Sequence, residues 1–396
     1  MDITLTPGLL FGNVEIIPSK SQAHRLLICA AFADNVTDLI CPQTNEDMQA
    51  TAQCLCALGA QIMNTQTGYH IVPATHIPQH AVLNCRESGS TLRFLLPVAG
   101  ALGVDTTFQM AGRLPQRPLS PLWEEMERMG CQLDRPTADT VRCRGQLRVG
   151  DYHIDGGVSS QFITGLLLAL SLLPGQSRLE ITGKIESAPY IEMTKQAMEL
   201  FGADSQHLGT KPFHSPGTIT VEGDWSNGAF FLAAKQLGSE LFVKNLSPRS
   251  AQGDKVAATL LPSLRHGHAT VSAAHIPDLV PILSVVAAAS HGAVFTDIAR
   301  LRLKESDRVH SVVEMICSLG GKAEDLGDRL VVHPVPLRGG TVNSYNDHRI
   351  AMSAAIASTV CTESVTILDA QAVQKSYPTF WEEFHRLGGK HGLFLW

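Results

Sequence analysis

The sequence predicts an α/β protein built from six copies of one β/α unit, and two periodic series carry that reading. In the first, a small polar cluster opens a long, nearly uncharged apolar run. These clusters are Lys20-Ser21, Glu87-Ser88-Gly89-Ser90-Thr91, Ser159-Ser160-Gln161, Asp224-Trp225-Ser226, Pro277-Asp278 and Asn346-Asp347-His348-Arg349. From Ser21 through Ser90, Ser160, Ser226 and Asp278 to Asp347 the steps are 69, 70, 66, 52 and 69 residues. In the second series, Gly59, Gly130, Gly202, Gly267, Gly320 and Gly388 lie 71, 72, 65, 53 and 68 residues apart. Two landmarks sharing one period indicate a repeated supersecondary unit, and strands alternating with helices give the α/β class.

Each unit holds two kinds of helix. The runs Leu26–Phe32, Leu92–Leu102, Phe162–Leu173, Ala229–Leu237, Leu279–Ala289 and Ile350–Val360 are apolar on every side and are therefore predicted to be buried. A second, amphipathic kind is read at Asp47–Leu58, Pro121–Met129, Ile191–Phe201 and Thr379–Leu387. It is clearest where Val309, Val312, Val313, Ile316 and Leu319 recur at steps of three and four, with Ser306 as the expected N-cap and Gly320 as the C-cap. Short β-rich runs, Asp2–Thr6, Arg178–Ile181, Thr218–Val221 and Arg329–Val332, fall between helices. The shortened fourth step suggests a domain boundary near Glu222-Gly223-Asp224, midway through the six units.

A chain of 396 residues that is 44% hydrophobic has material for two cores. The apolar runs Gly165–Pro174 and Val280–Ala289 are shorter than the ~20 residues that span a bilayer, and Met1-Asp2-Ile3 does not open a secretory signal. Nine scattered cysteines fit a reducing cytoplasm, and Cys54 and Cys56 read as packing rather than a metal pair. A net charge of −6 with no basic run argues against a nucleic-acid partner. Nucleotide P-loops, hydrolase elbows and His-Glu-x-x-His zinc sites are absent from the sequence. Neither a metal nor a cofactor is expected.

Several cations stand where local electrostatics disfavours them. Lys20, His24 and Arg25 open one buried helix, Arg349 opens another, and Arg308 lies in the first turn after Ser306. A helix start carries partial positive charge, so each such cation costs about 0.3–1 kcal/mol. A bound anion reverses the sign: at ~4 Å and an effective dielectric near 20, one unit pair contributes roughly 4 kcal/mol. The ordinary alternative is pairing with nearby acids such as Glu305, Asp307 or Asp347. Within residues 300–308, Leu301 and Leu303 alternate as in a strand, which would put Arg300, Arg302 and Lys304 on one face and Glu305 at a strand-to-helix junction. A carboxylate among cations is a candidate general acid or base. Asp278 is a second candidate, with an N-cap as its plain alternative.

In Lys20-Ser21-x-x-x-Arg25, Ser88-Gly89-Ser90-Thr91-x-Arg93, Arg117-Pro118, Ser159-Ser160-Gln161, Lys304-Glu305-Ser306-Asp307-Arg308, Asn346-Asp347-His348-Arg349 and Lys375 the chain resembles the 5-enolpyruvylshikimate-3-phosphate synthase family of enolpyruvyl transferases. The resemblance runs in order along nearly the whole chain. It implies two similar domains, each of three β/α units about a pseudo-threefold axis: residues 16–221 as the shikimate 3-phosphate side, and 1–15 with 222–396 as the other, with substrates in the interdomain cleft. It also implies transfer of the enolpyruvyl group of phosphoenolpyruvate to the 5-hydroxyl of shikimate 3-phosphate with release of phosphate, by a cytoplasmic monomer of the chorismate and aromatic amino acid route, with no membrane or nucleic-acid partner.

By position in the family's motifs, Ser159, Ser160, Ser187 and Lys304 hold the shikimate phosphate, and Arg25, Gln161, Tyr190 and Asp278 frame the ring and its carboxylate, with Lys20 and Ser21 on the same ligand. Lys20, Gly89, Arg113, Gln161, Arg308, Arg349 and Lys375 are implied around phosphoenolpyruvate. Glu305 is the implied proton donor to carbon, Asp278 the base, and Lys20 or Lys375 the stabiliser of departing phosphate. Three departures stand out: Glu87 where many members carry Asn, Phe94 where a smaller residue is common, and a short segment 112–118. Two rivals remain. The enolpyruvyl transferase acting on UDP-N-acetylglucosamine normally carries a cysteine that residues 112–118 lack and an Asn in place of Ser21. A non-catalytic anion-binding repeat protein would leave Glu305 and Asp278 without a task.

Overall fold

Each apolar run becomes a helix covered on all sides, because only complete enclosure removes an all-round apolar surface from water. The computed structural model describes residues 1–185 and 187–395. Its helices are α1 (Lys20–Ala31), α2 (Glu46–Ala57), α3 (Gly89–Leu102), α4 (Leu122–Arg128), α5 (Ser160–Leu170), α6 (Ala188–Leu200), α7 (Trp225–Gln236), α8 (Ala257–His266), α9 (Val280–Ala288), α10 (Arg308–Ser318), α11 (His348–Ala357) and α12 (Phe380–Arg386). Odd-numbered helices other than these amphipathic partners follow the apolar runs: α3, α5, α7, α9 and α11 are buried along nearly their whole length, and α1 from Ala23 onward. Even-numbered helices are amphipathic. Among them α8, which the periodicity did not single out, completes the alternation in the fourth unit.

The chain divides into two compact units, one of Met1–Ile17 with Gly223–Trp396 and the other Pro18–Glu222. The same sheet recurs four times, twice in each unit. A parallel pair leads, and two antiparallel pairings follow. In the Pro18–Glu222 unit the orders are 218–220, 37–40, 68–72, 61–65 and 80–84, 105–109, 140–145, 131–134. In the other unit they are 269–272, 293–296, 329–333, 322–325 and 340–343, 365–368, 2–6, 390–395. The last sheet takes its third strand from the start of the chain, with Ile3 opposite Ile367. A two-stranded parallel sheet completes each unit, 151–155 with 178–182 and 11–15 with 240–244.

Five of the six periodic glycines sit at positive φ, from +73° at Gly202 to +117° at Gly130, where a side chain would be strained. Gly267 is the exception: it ends α8 in extended backbone at φ −172° with nothing within 4 Å of where a Cβ would stand. A different glycine fixes the interior. α3 and α5 cross so closely that a Cβ on Gly165 would lie 2.3 Å from the Arg93 carbonyl oxygen and 2.8 Å from Pro97.

Two local expectations are corrected. Residues Ala299–Leu303 form a 3-10 helix, not a strand. Ile298 and Leu301, three apart and 1% and 0% exposed, share the buried side that three residues per turn creates, while Leu303 is 46% exposed. The N-cap of α10 is Asp307, whose carboxylate accepts the His310 amide at 3.2 Å, while the Ser306 hydroxyl donates to Asp347 Oδ2 at 3.0 Å. A carboxylate is the stronger acceptor for helix-start amides, which frees the neighbouring serine for the tertiary bond.

Gly165→Ala is expected to destabilise the Pro18–Glu222 unit by about 1–3 kcal/mol through overpacking, whereas Gly267→Ala should change stability by no more than about 0.5 kcal/mol. Denaturant unfolding of the two variants checks the contrast; equal losses would refute the packing argument.

Candidate active site

In the Pro18–Glu222 unit the site residues stand at the starts of α1, α3 and α5. Ser19 caps α1, and Lys20, its first residue, donates to Asp47 Oδ2 in the first turn of α2 at 3.0 Å. Arg25 lies one turn on and is 2% exposed. Its guanidinium donates to Thr194 Oγ1 at 2.8 Å, Thr164 Oγ1 at 3.2 Å, and the carbonyls of Tyr190 at 3.0 Å and Ser21 at 2.5 Å. Every acceptor is neutral, and no carboxylate within ion-pair distance of Arg25 occurs among the described residues. Burial lowers its pKa to about 10, so it stays cationic at neutral pH. Phe94, larger than the residue common at its position, supplies a ring face 5.0 Å from this guanidinium.

Gln161, in the first turn of α5, is fixed at both ends of its amide. Its Oε1 accepts from Arg93 at 2.8 Å and its Nε2 donates to Ser90 Oγ at 3.0 Å. Ser159 caps the helix from just outside, and Ser160 is buried beside it. Gly89 has a protein-side reason to be glycine: a Cβ there would meet guanidinium nitrogens of Arg117 at 2.7 Å and Arg93 at 3.1 Å. Glu87 is packed over Gly112, whose Cβ would fall 2.5 Å from the Glu87 carboxyl carbon. Arg113 lies exposed on the following turn. Ser187 precedes α6 in left-handed backbone, φ +55°. Tyr190 contributes its carbonyl to Arg25.

In the other unit the predicted residues gather around one guanidinium. The Arg308 side chain has no exposure, and it donates to Asp347 Oδ2 at 3.0 Å, Asp278 Oδ1 at 2.7 Å and Glu305 Oε2 at 2.7 Å. Burial disfavours its charge, but Asp347, Glu305 and Asp278 together more than offset that and raise its pKa. Asp278 also faces Arg349 at 3.2 Å and Lys304 at 3.6 Å. Burial pushes its carboxyl up, yet the charges of Arg349, Lys304 and Arg308 win and hold it well below the usual carboxylate range. Asp278 does not cap α9, whose start carries no side-chain cap. Lys304 is lowered to about 8 by burial, against the pull of Asp278. Lys375, at the end of a 3-10 helix, donates to the Asn346 carbonyl at 2.9 Å.

The acid pairing weighed as the ordinary alternative is therefore present for Arg308 with Glu305 and Asp347. It extends to Lys20 with Asp47 and Arg349 with Asp278, acids lying 27 and 71 residues away in sequence. Arg25 escapes it. Several motif residues to which the sequence assigns no role build the site: Arg93 and Ser90 orient Gln161, and Arg117 crowds Gly89. Asp254 was missed altogether. It is a buried carboxyl in the polar stretch Gln252-Gly253-Asp254-Lys255, where nothing local signals burial.

The family model for EPSP synthase (3-phosphoshikimate 1-carboxyvinyltransferase) matches residues 6–384. The 3-phosphoshikimate 1-carboxyvinyltransferase of Clostridium kluyveri is 36% identical over 416 residues, covering 98% of this chain and 97% of that one. That of Clostridium perfringens is 37% identical over 418 residues, covering 98% of each. Among solved structures, EPSP synthase from Acinetobacter baumannii superposes with a TM-score of 0.79 at 21% identity over 99% of both chains. The enolpyruvyl transferase NikO from Streptomyces tendae gives 0.76 at 16% identity over 99% of this chain and 98% of that one, so the enolpyruvyl transferase fold is common to all three. The chain belongs to the EPSP synthase (3-phosphoshikimate 1-carboxyvinyltransferase) family.

Proposed function

We propose that this enzyme transfers the enolpyruvyl group of phosphoenolpyruvate to the 5-hydroxyl of shikimate 3-phosphate and releases phosphate. The observation that carries the chemistry is the constellation around Arg308: two carboxylates able to move protons, Asp278 and Glu305, tied to cations that suit anionic substrates. Residues 16–221 are assigned to shikimate 3-phosphate, and residues 1–15 with 222–396 contribute the charged cluster. Ser159, Ser160, Ser187 and Lys304 take the shikimate phosphate, helped by the start of α5. Arg25, Gln161, Tyr190, Ser21 and Asp278 frame the ring. Lys20, Gly89, Arg113, Gln161, Arg308, Arg349 and Lys375 surround phosphoenolpyruvate, whose two anionic groups suit forked guanidinium donors.

The reaction needs addition, then elimination. Asp278 takes the hydroxyl proton as that oxygen attacks the substituted carbon of phosphoenolpyruvate, and Glu305 gives a proton to the methylene carbon, making it methyl. Loss of phosphate, stabilised by Lys20 or Lys375, with return of a methyl proton to a base restores the double bond. A carboxylate held far below neutral is a weak base, so Asp278 gains basicity when the incoming anions draw Arg349 and Lys304 to themselves. Closure that excludes water strengthens each of these charge interactions. Arg308 is enclosed by its three carboxylates, and its part in binding phosphoenolpyruvate runs through loosening of that cage.

Every residue assigned a role lies in one chain, so a monomer suffices. We place it in the cytoplasm, in keeping with nine free cysteines; among the described residues no helix is long and apolar enough to cross a membrane. Phosphate release from phosphoenolpyruvate with shikimate 3-phosphate tests the reading. Release only with UDP-N-acetylglucosamine, or binding with no turnover, would overturn it.

Glu305→Gln and Asp278→Asn are expected to lower kcat by roughly 10²–10⁴-fold while leaving substrate binding nearly unchanged; undiminished turnover would remove them from these roles. Because Lys304 titrates near 8, it loses its charge as pH rises past that point. The KM for shikimate 3-phosphate should then climb about tenfold by pH 9. Lys304→Arg should abolish that rise; a KM equally steep in the variant would rule Lys304 out as its source.

A further inference from the structure

Asp254 is a buried carboxyl that the mechanism above leaves idle. It lies on a 3-10 helix, Gly253–Val256, packed against the start of α7, and is 3% exposed. Neighbouring side chains clamp this segment to α7: Gln252 Oε1 accepts the Trp225 amide at 2.9 Å, and Gln252 Nε2 donates to the Gly223 carbonyl at 2.8 Å. Asp254 Oδ2 accepts a hydrogen bond from the Ser226 hydroxyl. Its Oδ1 is buried with no hydrogen-bond partner. A buried carboxylate oxygen without a donor is costly, and a proton on it removes most of that cost.

The charges around Asp254 come from several elements. Asp278 before α9 and Asp224 at the start of α7 oppose its ionisation, as burial does foremost, while Arg349 on α11 and the Ser226 hydroxyl favour it; the outcome is a carboxyl pushed up to about 7. On its own segment, Lys255 turns to the Ser250 carbonyl at 2.7 Å. The cations of the two helices packed on it, Lys235 of α7 and Arg265 and His266 of α8, stand in the last turns of those helices. Asp254 and Asp278 thus share the field of Arg349, one held near its proton and the other stripped of it. Two acids whose surroundings drive them apart in this way mark a proton-handling pair.

Arg349 is what makes Asp254 responsive. On the proposed function, phosphoenolpyruvate engages Arg349, and an anion there neutralises a cation that favours ionised Asp254. We propose that Asp254 is a positioning residue that takes up a proton from solvent when phosphoenolpyruvate binds Arg349, so that the Asp278–Arg349 pair can open without leaving a second buried anion behind it. This rests on the proposed assignment of Arg349 to phosphoenolpyruvate.

The test titrates phosphoenolpyruvate calorimetrically into the full chain at pH 7.5, in two buffers of different ionisation enthalpy, which yields the net protons exchanged. The wild type is expected to take up more protons than Asp254→Asn, by a sizeable fraction of one. In steady-state assays the ratio of the wild-type KM for phosphoenolpyruvate to that of Asp254→Asn should rise by about tenfold between pH 6 and pH 9, the size of a one-unit linkage. Protonation of the ligand itself is common to both proteins and cancels. Equal proton uptake with a pH-independent KM ratio, in an enzyme that still turns over, overturns the inference alone. Absence of both binding and turnover in the wild type overturns it together with the functional reading. Should Asp254→Asn not fold, Ser226→Ala decides: loss of the hydroxyl makes the carboxyl harder to ionise, so uptake should shrink at pH 7.5 and reappear near pH 9. Uptake unchanged by that substitution at both pH values also overturns the proposal.

Discussion

The charged cluster of residues 278–349 depends on one enclosed guanidinium. Arg308 reaches three carboxylates from three different segments, Asp278 before α9, Glu305 before α10 and Asp347 at the start of α11. No one of these carboxylates could be buried alone, because an isolated ion in the interior is strongly disfavoured. Removing one partner from such a cluster costs about 3–5 kcal/mol, chiefly through the charge left unpaired. Arg308 is therefore the reason the starts of three helices converge, and with Arg349 and Lys304 it keeps Asp278 ionised. The same arrangement makes the cluster sensitive to an arriving anion, which competes with carboxylates for the same cations.

The Pro18–Glu222 unit solves a similar problem with neutral groups. Arg25 is satisfied by two threonine hydroxyls and two carbonyls, so its full charge remains available to a ligand. Beside it, His24 shares a hydrogen bond with Thr51 at 2.7 Å, Thr51 with Thr91 at 2.7 Å, and Thr91 with the cap residue Ser88 at 2.7 Å, which links α1, α2 and α3. Burial, with the nearby charges of Lys20 and Arg25, holds His24 well below the usual imidazole range, so it stays neutral. A neutral ring there spares the arginine a like charge. One unit holds its cations in ion pairs, and the other keeps Arg25 without a carboxylate partner.

Repetition explains why the site residues share a position in the fold. In each unit a buried helix begins where polar residues cap it, and five of the six starts have a side-chain cap or its equivalent from Ser19, Ser88, Ser159, Asp224 and Asp347. The exception is α9, where Asp278 is released from capping and spends both oxygens on Arg308, Lys304 and Arg349. The unit whose start breaks the capping pattern is the one that carries the proposed base. Local rules are most often set aside at functional positions.

The six-unit repeat, the alternation of enclosed and amphipathic helices, and the polar helix starts were legible in the sequence, because periodicity and capping act over a few residues and leave a local trace. The motifs around Lys20, Ser159, Glu305 and Arg349 were legible for the same reason, as runs with a family's spacing. What lay beyond reach depended on neighbours distant along the chain. The 3-10 geometry of residues 299–303 follows from which of Leu301 and Leu303 finds a core to enter, and Ser306, left free by the Asp307 cap, bonds to Asp347 some forty residues on. The pairing of Lys20 with Asp47, the enclosure of Arg308 and the burial of Asp254 are likewise decisions of packing. A charge has no intrinsic pKa or partner until the fold sets its solvent and its neighbours; the sequence determined which charges exist and where helices begin, and only the tertiary structure decided which of them would be paired, left bare or held near a proton.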